Sequence, residues 1–422
     1  MKPIPKTGPL NATVTVPPSK SYSVRALLLG AMTEGTTRVT NCLDADDTRY
    51  ALEALRVLGF NVTGTFKEGV VIGERQSMSA NEVPIFVGNA GTAMRFLTGW
   101  LAFTPGRFLI SGEERMHQRP IGDLVEVLLG IGAEVEYVER EGYPPLRVRG
   151  KRMRGGFDVS IAADTSSQFV SALMLGGATL PDGITLRIER VASGPYIDIT
   201  KDILESFGAH VNRDGDTINV RAGRLRCDEY RVEGDYSSAS YWFAAAAATG
   251  GTMRVRGLAL ATAQGDAAFL DILAAMGCHA RVEGDEVAVT GPARLRGGSF
   301  DCSATPDIVP TLAAIAPLAS EPVEITNVAN LRVKESDRLA TITTELRRLG
   351  AAVDERSDSL LIQPGWSSEA ATIETHKDHR IAMSFAVSGL ARGNVTIADE
   401  GVVAKSYPRF WRTLDEAIAS RG

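Results

Sequence analysis

Residues 52–62 read LEALRVLGFNV, the pattern of a helix that ends at a glycine and is followed at once by a strand. Gly59 suits the left-handed conformation that commonly ends a helix. The pattern returns as VEVLLGIGAEV at 125–135, DILESFGAHV at 202–211, DILAAMGCHA at 271–280 and TELRRLGAAV at 344–353. Its five glycines, which lie 69 to 76 residues apart, are Gly59, Gly132, Gly208, Gly277 and Gly350. The sequence therefore predicts an array of similar units.

A second pattern lies between these segments and has the same period. It consists of a polar cluster, an apolar helix, a turn and a β-rich run. The turns lie at Gly35, Gly106, Gly183, Gly251, Glu321 and Gly393. The two interleaved patterns indicate six repeats, and their period of about 70 residues is too long for the common solenoids.

These repeats predict an α/β (α+β) fold of two similar globular domains, each of three βαβαββ-type repeats, with the active site in the interdomain cleft. The predicted domains are residues 1–17 plus 233–422, and residues 18–232 as an inserted domain. The chain would cross between them at Val16-Pro17-Pro18 and at Glu233-Gly234. The last repeat is cut short, and we expect the N-terminal strand at Leu10 to Val16 to complete it and close the first domain.

Composition limits the function classes. The chain has 422 residues, 44% apolar and 23% charged, which excludes a disordered chain. Its net charge of −6 predicts no nucleic-acid partner, because phosphate backbones need a basic surface. We expect no membrane partner, because no apolar run has the length of a membrane span. Four cysteines without a Cys-x-x-Cys pair predict a reducing, cytoplasmic location, and we expect a monomer.

Polar clusters stand at the starts of the six apolar helices. They are Pro18–Ser21, Gly88–Thr92, Thr165–Gln168, Asp235–Ser238, Thr305–Asp307 and Lys377–Arg380. Capping explains most of these residues, including Asp235 to Ser238. Capping does not explain Lys20 or Arg380, because a cation is unfavourable at a helix N-terminus. A cation there indicates an anion bound jointly by the side chain and the N–H groups.

Three further charged strings precede helices, at 114–120, 332–338 and 405–408. If 332–338 opens a helix, Lys334 and Arg338 share a face, with Glu335 three residues before Arg338. A carboxylate among cations in a cleft is a candidate acid or base. A zinc site at His376 and His379 lacks an evident third ligand, and nucleotide-binding and nucleophile-elbow motifs are absent. Residue chemistry alone indicates a transferase-like or phosphate-handling site.

The ordered strings PPSKSYSVRALLL, VGNAGTAMRFL, ERMHQRPIGDL, DTSSQFVSALM, VEGDYSSASYW, LRVKESDRL, KDHRIAMSF and AKSYP make the chain recognisable. It resembles the 5-enolpyruvylshikimate-3-phosphate synthases of the enolpyruvyl transferase family, from about Leu10 to Arg412. The resemblance implies transfer of the carboxyvinyl group of phosphoenolpyruvate to the 5-hydroxyl of shikimate 3-phosphate. It implies no metal and no organic cofactor, and competition of glyphosate with phosphoenolpyruvate. The two small-molecule substrates are the only partners it implies.

The resemblance also implies the site residues. The catalytic residues are Asp307, Glu335, Lys334 and Lys20, with Glu335 protonating the methylene carbon and either Asp307 or Lys334 as the base. The phosphoenolpyruvate-binding residues are Lys20, Asn89, Gly91, Arg119, Gln168, Arg338, Arg380 and Lys405. The shikimate-3-phosphate-binding residues are Lys20, Ser21, Arg25, Ser166, Ser167, Gln168, Ser193, Tyr196, Asp307, Asn330 and Lys334.

Two positions depart from some family members: Phe96 stands in place of Pro, and Gly194 in place of a basic residue. The alternative activity is that of the related UDP-N-acetylglucosamine enolpyruvyl transferase. That enzyme typically carries a Cys in the loop before Arg119, and the loop at 111–119 contains none. A non-catalytic anion-binding protein would be expected to lack Asp307, Glu335 or Lys405, and all three are present.

Overall fold

The computed structural model describes residues 1–76, 81–191, 193–221 and 223–420. The chain forms two compact units. The N-terminal-half unit is Pro18–Val232, and the C-terminal-half unit is Met1–Pro17 together with Glu233–Gly422. None of the helices in the described ranges is both long and apolar enough to cross a membrane.

The helices of the described residues alternate with short strands throughout. They are α1 (Lys20–Met32), α2 (Asp46–Val57), α3 (Gly91–Leu101), α4 (Gly122–Gly130), α5 (Gln168–Gly177), α6 (Pro195–Ser206), α7 (Tyr236–Thr249), α8 (Phe269–Ala275), α9 (Val309–Ile315), α10 (Arg338–Arg348), α11 (His379–Arg392) and α12 (Phe410–Ala419). Short 3₁₀ helices cover Met116–Gln118, Gly265–Ala268, Pro306–Ile308, Ala316–Leu318, Ala329–Val333 and Glu400–Lys405.

The strands are three to eight residues long. They are β1 (Lys2–Ile4), β2 (Ala12–Thr15), β3 (Thr37–Thr40), β4 (Phe60–Thr65), β5 (Gly69–Arg75), β6 (Val83–Phe86), β7 (Gly106–Ser111), β8 (Glu134–Tyr137), β9 (Leu146–Gly150), β10 (Phe157–Ala163), β11 (Ile184–Val191), β12 (His210–Asp214), β13 (Thr217–Arg221), β14 (Glu229–Arg231), β15 (Thr252–Arg256), β16 (His279–Glu283), β17 (Glu286–Thr290), β18 (Gly298–Asp301), β19 (Val323–Thr326), β20 (Val353–Glu355), β21 (Leu360–Ile362), β22 (Ala371–Ile373) and β23 (Val395–Ile397).

In the described residues each unit contains three small sheets, and all but one of the six share a four-stranded design. The sheet β6-β7-β9-β8 shows it: β6 and β7 are parallel, and β9 pairs antiparallel with both β7 and β8. The sheets β10-β11-β13-β12 and β18-β19-β21-β20 have the same order and directions. Of the six sheets in the described residues, five have four strands, and the sixth, β1-β23-β22, has three. With two helices in each stretch of chain, they confirm the predicted α/β class and its βαβαββ-type repeats.

The strand that completes the last repeat differs from the prediction. β2, which lies within Leu10 to Val16, pairs parallel with β15 in the fourth sheet. The last sheet is completed instead by β1, with Lys2 opposite Ile397 of β23. The physical reason is that β15 needs a parallel neighbour, and the alternation in β2 buries Ala12 and Val14 there. In the other unit β14 supplies the same parallel neighbour to β3.

The first helix of each repeat is buried nearly all round. In the N-terminal-half unit, α3 and α5 approach so closely that their backbones touch at two glycines. A Cβ added to Gly99 would lie 2.6 Å from the carbonyl oxygen of Ala172, and one added to Gly176 would lie 2.5 Å from the carbonyl oxygen of Gly99. In the C-terminal-half unit, the hydroxyl of Thr311 on α9 lies 3.2 Å from that of Ser240 on α7 and 3.2 Å from that of Ser384 on α11. This close packing fixes the directions in which the N-termini of these helices point.

The segment at 332–338 is not the helix start that the sequence predicts. A 3₁₀ helix ends at Val333, Lys334 is extended, and α10 begins only at Arg338. The prediction that Lys334 and Arg338 share a helix face is therefore wrong. The reason is local: the carboxylate of Asp337 accepts the backbone N–H of Ala340, at 3.1 Å, and so caps the helix at that point.

Candidate active site

The C-terminal-half unit gathers three carboxylates around one guanidinium. Arg338, the first residue of α10, donates from Nε to Asp378 at 2.8 Å, from Nη1 to Asp307 at 2.9 Å and from Nη2 to Glu335 at 2.9 Å. Its side chain is 1% exposed. Asp378 caps α11, and Asp307 lies in the 3₁₀ helix that precedes α9. Two helix starts and a connecting segment thus meet at Arg338.

Burial and charge act in opposite directions on this arginine. Burial lowers the pKa of Arg338, and the negative charges of Asp378, Glu335 and Asp307 raise it by more, so the net shift is upward. The guanidinium is therefore permanently charged. Buried charge-assisted hydrogen bonds of this kind are stronger than neutral ones, so the geometry of Arg338 is held firmly.

Asp307 connects this cluster to the second predicted cation of the unit. Its Oδ2 accepts Nη2 of Arg380 at 2.5 Å, while its Oδ1 accepts Arg338. Nη1 of Arg380 also lies 3.4 Å from the hydroxyl of Tyr241. Asp307 is thus a carboxylate between two cations, and 17% of its side chain is exposed. It is the most exposed of the three carboxylates on Arg338.

Three other predicted residues of this unit lie in the connecting segments. Asn330 is in the 3₁₀ helix Ala329–Val333 and is buried, and Lys334 follows that helix directly. Lys405 is the last residue of the 3₁₀ helix Glu400–Lys405.

In the N-terminal-half unit, a second arginine lies at the start of α3. Nη1 of Arg119 donates to both the carbonyl oxygen and Oδ1 of Asn89, at 3.1 Å each. Gly91, the first residue of α3, lies directly beside it: an added Cβ would be 2.6 Å from Nη2 of Arg119 and 2.8 Å from Nη1 of Arg95. A side chain at this position would therefore require the guanidinium groups of Arg119 and Arg95 to move.

Arg25 occupies a buried polar site in the same unit. It donates to Oγ1 of Thr200 at 2.8 Å and to the carbonyl oxygens of Ser21 and Tyr196, at 3.0 and 3.1 Å. Burial lowers its pKa to about 10, so the guanidinium stays charged at neutral pH. Its Cζ lies 4.8 Å from the centre of the Phe96 ring. That contact gives a structural reason for Phe96: an aromatic face stacks against this cation.

The remaining predicted residues of this unit lie at helix starts. Lys20 begins α1, and its Nζ is 3.4 Å from the buried carboxylate of Asp47. Nε2 of Gln168 donates to Oγ1 of Thr92 at 3.3 Å, which links the starts of α5 and α3. Three predicted serines lie near helix starts or in a turn: Ser166 accepts the backbone N–H of Gln168, Ser167 precedes α5 and is buried, and Ser193 has a φ of 63° and is buried.

Three acidic residues of these clusters have no role predicted from the sequence. Asp378 stands in the quoted cluster Lys377–Arg380, but its bond to Arg338 joins residues 40 apart, which no local pattern shows. Asp47 has the signal of an acidic residue in the first turn of a helix. Asp266 lies in a 3₁₀ helix near Ser237, and burial, followed by the charge of Asp307, raises its pKa to about 7.

The two histidines considered as zinc ligands have other surroundings. Nε2 of His376 is 3.0 Å from the buried carboxylate of Glu345, and His379 is fully buried at the start of α11. Among the described residues, His, Cys, Asp and Glu form no group of three that could hold a metal ion.

Comparison with known proteins identifies the family. The model of the EPSP synthase (3-phosphoshikimate 1-carboxyvinyltransferase) family matches residues 4–414. The 3-phosphoshikimate 1-carboxyvinyltransferase of Methanoculleus marisnigri is 42% identical over 415 residues, which cover 97% of this chain and 98% of that protein. The enzyme of Aliivibrio fischeri strain ES114 is 42% identical over 423 residues, 99% and 98% of the two chains.

Solved structures agree with the sequence comparisons. An EPSP synthase structure from Acinetobacter baumannii superposes with a TM-score of 0.81 at 28% identity, covering 99% of this chain and 97% of that one. The relatives do not favour the alternative UDP-N-acetylglucosamine activity. The carboxylates around Arg338 and the arginines near Gly91 therefore belong to a transferase, and the chain is a member of the EPSP synthase family, the 3-phosphoshikimate 1-carboxyvinyltransferases.

Proposed function

We propose that Asp307, Glu335 and Arg338 form the reacting centre for the family's transfer of a carboxyvinyl group from phosphoenolpyruvate to the 5-hydroxyl of shikimate 3-phosphate. The observation that carries this proposal is that Arg338 donates to Asp307 and Glu335 at once, at 2.9 Å each. One guanidinium thereby brings two candidate proton carriers together. The same guanidinium is a suitable partner for an anionic substrate, because its N–H groups match carboxylate and phosphate geometry.

The reaction needs one proton removed and one supplied. Asp307 or Lys334 takes the proton of the 5-hydroxyl, and the oxygen then bonds to C2 of phosphoenolpyruvate. Glu335 gives a proton to the methylene carbon, which becomes a methyl group in a tetrahedral intermediate. Loss of a proton from that methyl group restores the double bond as the C2–O bond to phosphate breaks. Cations around the phosphate and carboxylate stabilise the charges that develop.

Two sets of residues, one for each substrate, account for the binding roles in this proposal. We propose that phosphoenolpyruvate is bound by Lys20, Asn89, Gly91, Arg119, Gln168, Arg338, Arg380 and Lys405. We propose that shikimate 3-phosphate is bound by Lys20, Ser21, Arg25, Ser166, Ser167, Gln168, Ser193, Tyr196, Asp307, Asn330 and Lys334. The support is chemical: these are cations, hydroxyls and amides, the groups that bind phosphate, carboxylate and sugar-like hydroxyls.

We propose further that the enzyme acts as a monomer in the cytoplasm. The four cysteines are free, and three of them are buried, which suits a reducing compartment. Light scattering of the purified protein tests the monomer, which a dimer mass at micromolar concentration would contradict.

Phosphate release with both substrates tests the reacting centre. We expect release only when phosphoenolpyruvate and shikimate 3-phosphate are both present, and none with UDP-N-acetylglucosamine as acceptor. Glu335→Gln should lower kcat about 10²-fold or more, because it removes the proton donor. The control is Glu321→Gln, an exposed carboxylate in a turn, which should stay within about twofold of native. A native-like kcat for Glu335→Gln would overturn the proposed role.

A further inference from the structure

The segment that leads into α11 has an unusual backbone. His376 and Lys377 are consecutive non-glycine residues in the left-handed region, with φ of 51° and 57°. Such residues persist only where their surroundings hold them. The residue that follows them is Asp378, which binds Arg338, and Arg380 comes two residues later. The conformation of this turn therefore bears on the position of Asp378, which binds Arg338 of the reacting centre, and on that of Arg380.

The buried side chain of Glu345 binds two residues of the segment that forms the turn. Glu345 lies in α10 and has no exposed surface. Its Oε2 accepts the backbone N–H of Glu374 at 3.1 Å, and its Oε1 lies 3.0 Å from Nε2 of His376. Arg348, one turn further along α10, is 3.2 Å from the same Oε2. A buried carboxylate with these partners is directed at the turn and not at solvent.

The same helix holds the segment at a second point. Arg338 and Glu345 are seven residues apart in α10, which places them two turns apart on one face. Arg338 binds Asp378 at one end of the turn, and Glu345 binds Glu374 and His376 at the other. α10 therefore clamps the left-handed turn on both sides.

We propose that Glu345 is a positioning residue for phosphoenolpyruvate binding: by holding the His376–Lys377 turn it sets the position of Arg380, and through Asp378 that of Arg338. Glu345 itself touches no reacting atom. The proposal rests on the proposed role of Arg380 in binding phosphoenolpyruvate. A displacement of about 1 Å in a charged binding group is enough to cost a large factor in an enzyme's efficiency.

Glu345→Ala tests the proposal through the two Michaelis constants. We expect the KM for phosphoenolpyruvate to rise about 10-fold or more and the KM for shikimate 3-phosphate to stay within about threefold. His376→Ala removes the ring from a side chain that is 39% exposed, so it keeps the test open if Glu345→Ala does not fold. His376→Ala should raise the KM for phosphoenolpyruvate about threefold or more. Arg347→Gln is the matched control, because Arg347 is another arginine of α10 whose Nη2 donates to the carbonyl oxygen of Val353, at 2.8 Å, and both constants should remain within about twofold.

A rescue experiment separates positioning from loss of stability. Glycine adopts a φ of 57° without strain. Adding Lys377→Gly to Glu345→Ala should therefore lower the raised KM for phosphoenolpyruvate by at least about threefold, at a temperature where every variant is folded. Equal changes in both Michaelis constants, an unchanged KM for phosphoenolpyruvate, or no recovery with Lys377→Gly would each overturn the proposal. Arg380→Ala separates the two hypotheses. If it leaves the KM for phosphoenolpyruvate unchanged, the binding role of Arg380 is wrong; if it raises that KM while Glu345→Ala does not, only the positioning role is wrong.

Discussion

Asp266 should make the stability of this enzyme depend on pH in a direction that is unusual for an acidic residue. Its side chain is buried, the Ser237 hydroxyl donates to Oδ2, and Oδ1 has no hydrogen-bond partner among the described residues. Burial, followed by the charge of Asp307, raises the pKa of Asp266 to about 7, against the opposing effects of Arg380 and Ser237. The unfolded chain keeps the ordinary value of about 4.

The sign follows from proton binding in the two states. Between pH 4 and pH 7 the folded protein holds a proton on Asp266 that the unfolded chain has lost. The contribution of this group to stability is therefore fully present below pH 4 and is lost as the pH rises through 7. A shift of about three units corresponds to roughly 4 kcal/mol at most, since one unit is about 1.4 kcal/mol. Relief of that penalty should make Asp266→Asn more stable than native at pH 8, even after about 1 kcal/mol lost with the Ser237 hydrogen bond.

Urea denaturation of both proteins at pH 5, 6, 7 and 8 measures this effect. The free energy of unfolding of Asp266→Asn, minus that of the native enzyme, should rise from pH 5 to about pH 7 and level off towards pH 8. Ser237→Ala is the control: it keeps the carboxyl group and removes a hydrogen bond that lowers its pKa, so its pH dependence should persist and move to higher pH. A constant difference between Asp266→Asn and native from pH 5 to pH 8 would refute the reasoning.

Three further substitutions have calculable outcomes. Asp307→Asn should lower kcat about 10²-fold or more, and the free energy of unfolding by about 3 kcal/mol, because two buried guanidinium groups lose a shared counter-charge; near-native phosphate release would contradict this. Gly91→Ala should raise the KM for phosphoenolpyruvate, because its Cβ displaces Arg119. It should raise the inhibition constant of glyphosate by a larger factor, about 10- to 200-fold, and equal factors in steady-state kinetics would count against the steric explanation. Gly99→Ala should lower the thermal midpoint, because a Cβ 2.6 Å from the Ala172 carbonyl oxygen costs about 1–3 kcal/mol; both KM values should be unchanged, and an unaltered midpoint would disprove the close approach.

The repeat pattern allowed much of the fold to be predicted from the sequence. All five glycines of the first pattern have the left-handed conformation, with φ between 82° and 98°: Gly59, Gly132, Gly208, Gly277 and Gly350. In the second pattern the prediction at Gly251 was one residue late, because the left-handed cap of α7 is Gly250. Periodic patterns of this kind are local, so they can be read without knowledge of the tertiary structure.

One error arose where a non-local partner decided the outcome, and another where a local capping signal was overlooked. The place of β2 beside β15 depends on a strand pair about 240 residues apart in sequence, and composition gives no sign of it. The helix predicted from Arg332 starts instead at Arg338, where Asp337 caps it. An aspartate three residues before Ala340 was a readable cap signal, but the dense charges before it concealed it.

The candidate site shows the same division between local and non-local information. The sequence pointed to Asp307, Glu335, Arg338 and Arg380, but not to the order of their bonds. Asp378 has no exposed surface and accepts from Nε of Arg338 at 2.8 Å and from Nη2 at 3.3 Å, whereas Asp307 and Glu335, which are 17% and 9% exposed, each accept from one terminal nitrogen. The buried carboxylate therefore contacts the arginine at two nitrogens, and each of the two more exposed carboxylates contacts it at one. We propose that an anionic substrate at the terminal nitrogens exchanges with Asp307 and Glu335 and leaves the bond from Nε of Arg338 to Asp378 in place. On this proposal, a displaced carboxylate would become available to carry a proton, which would couple substrate binding to the acid–base chemistry of the reaction.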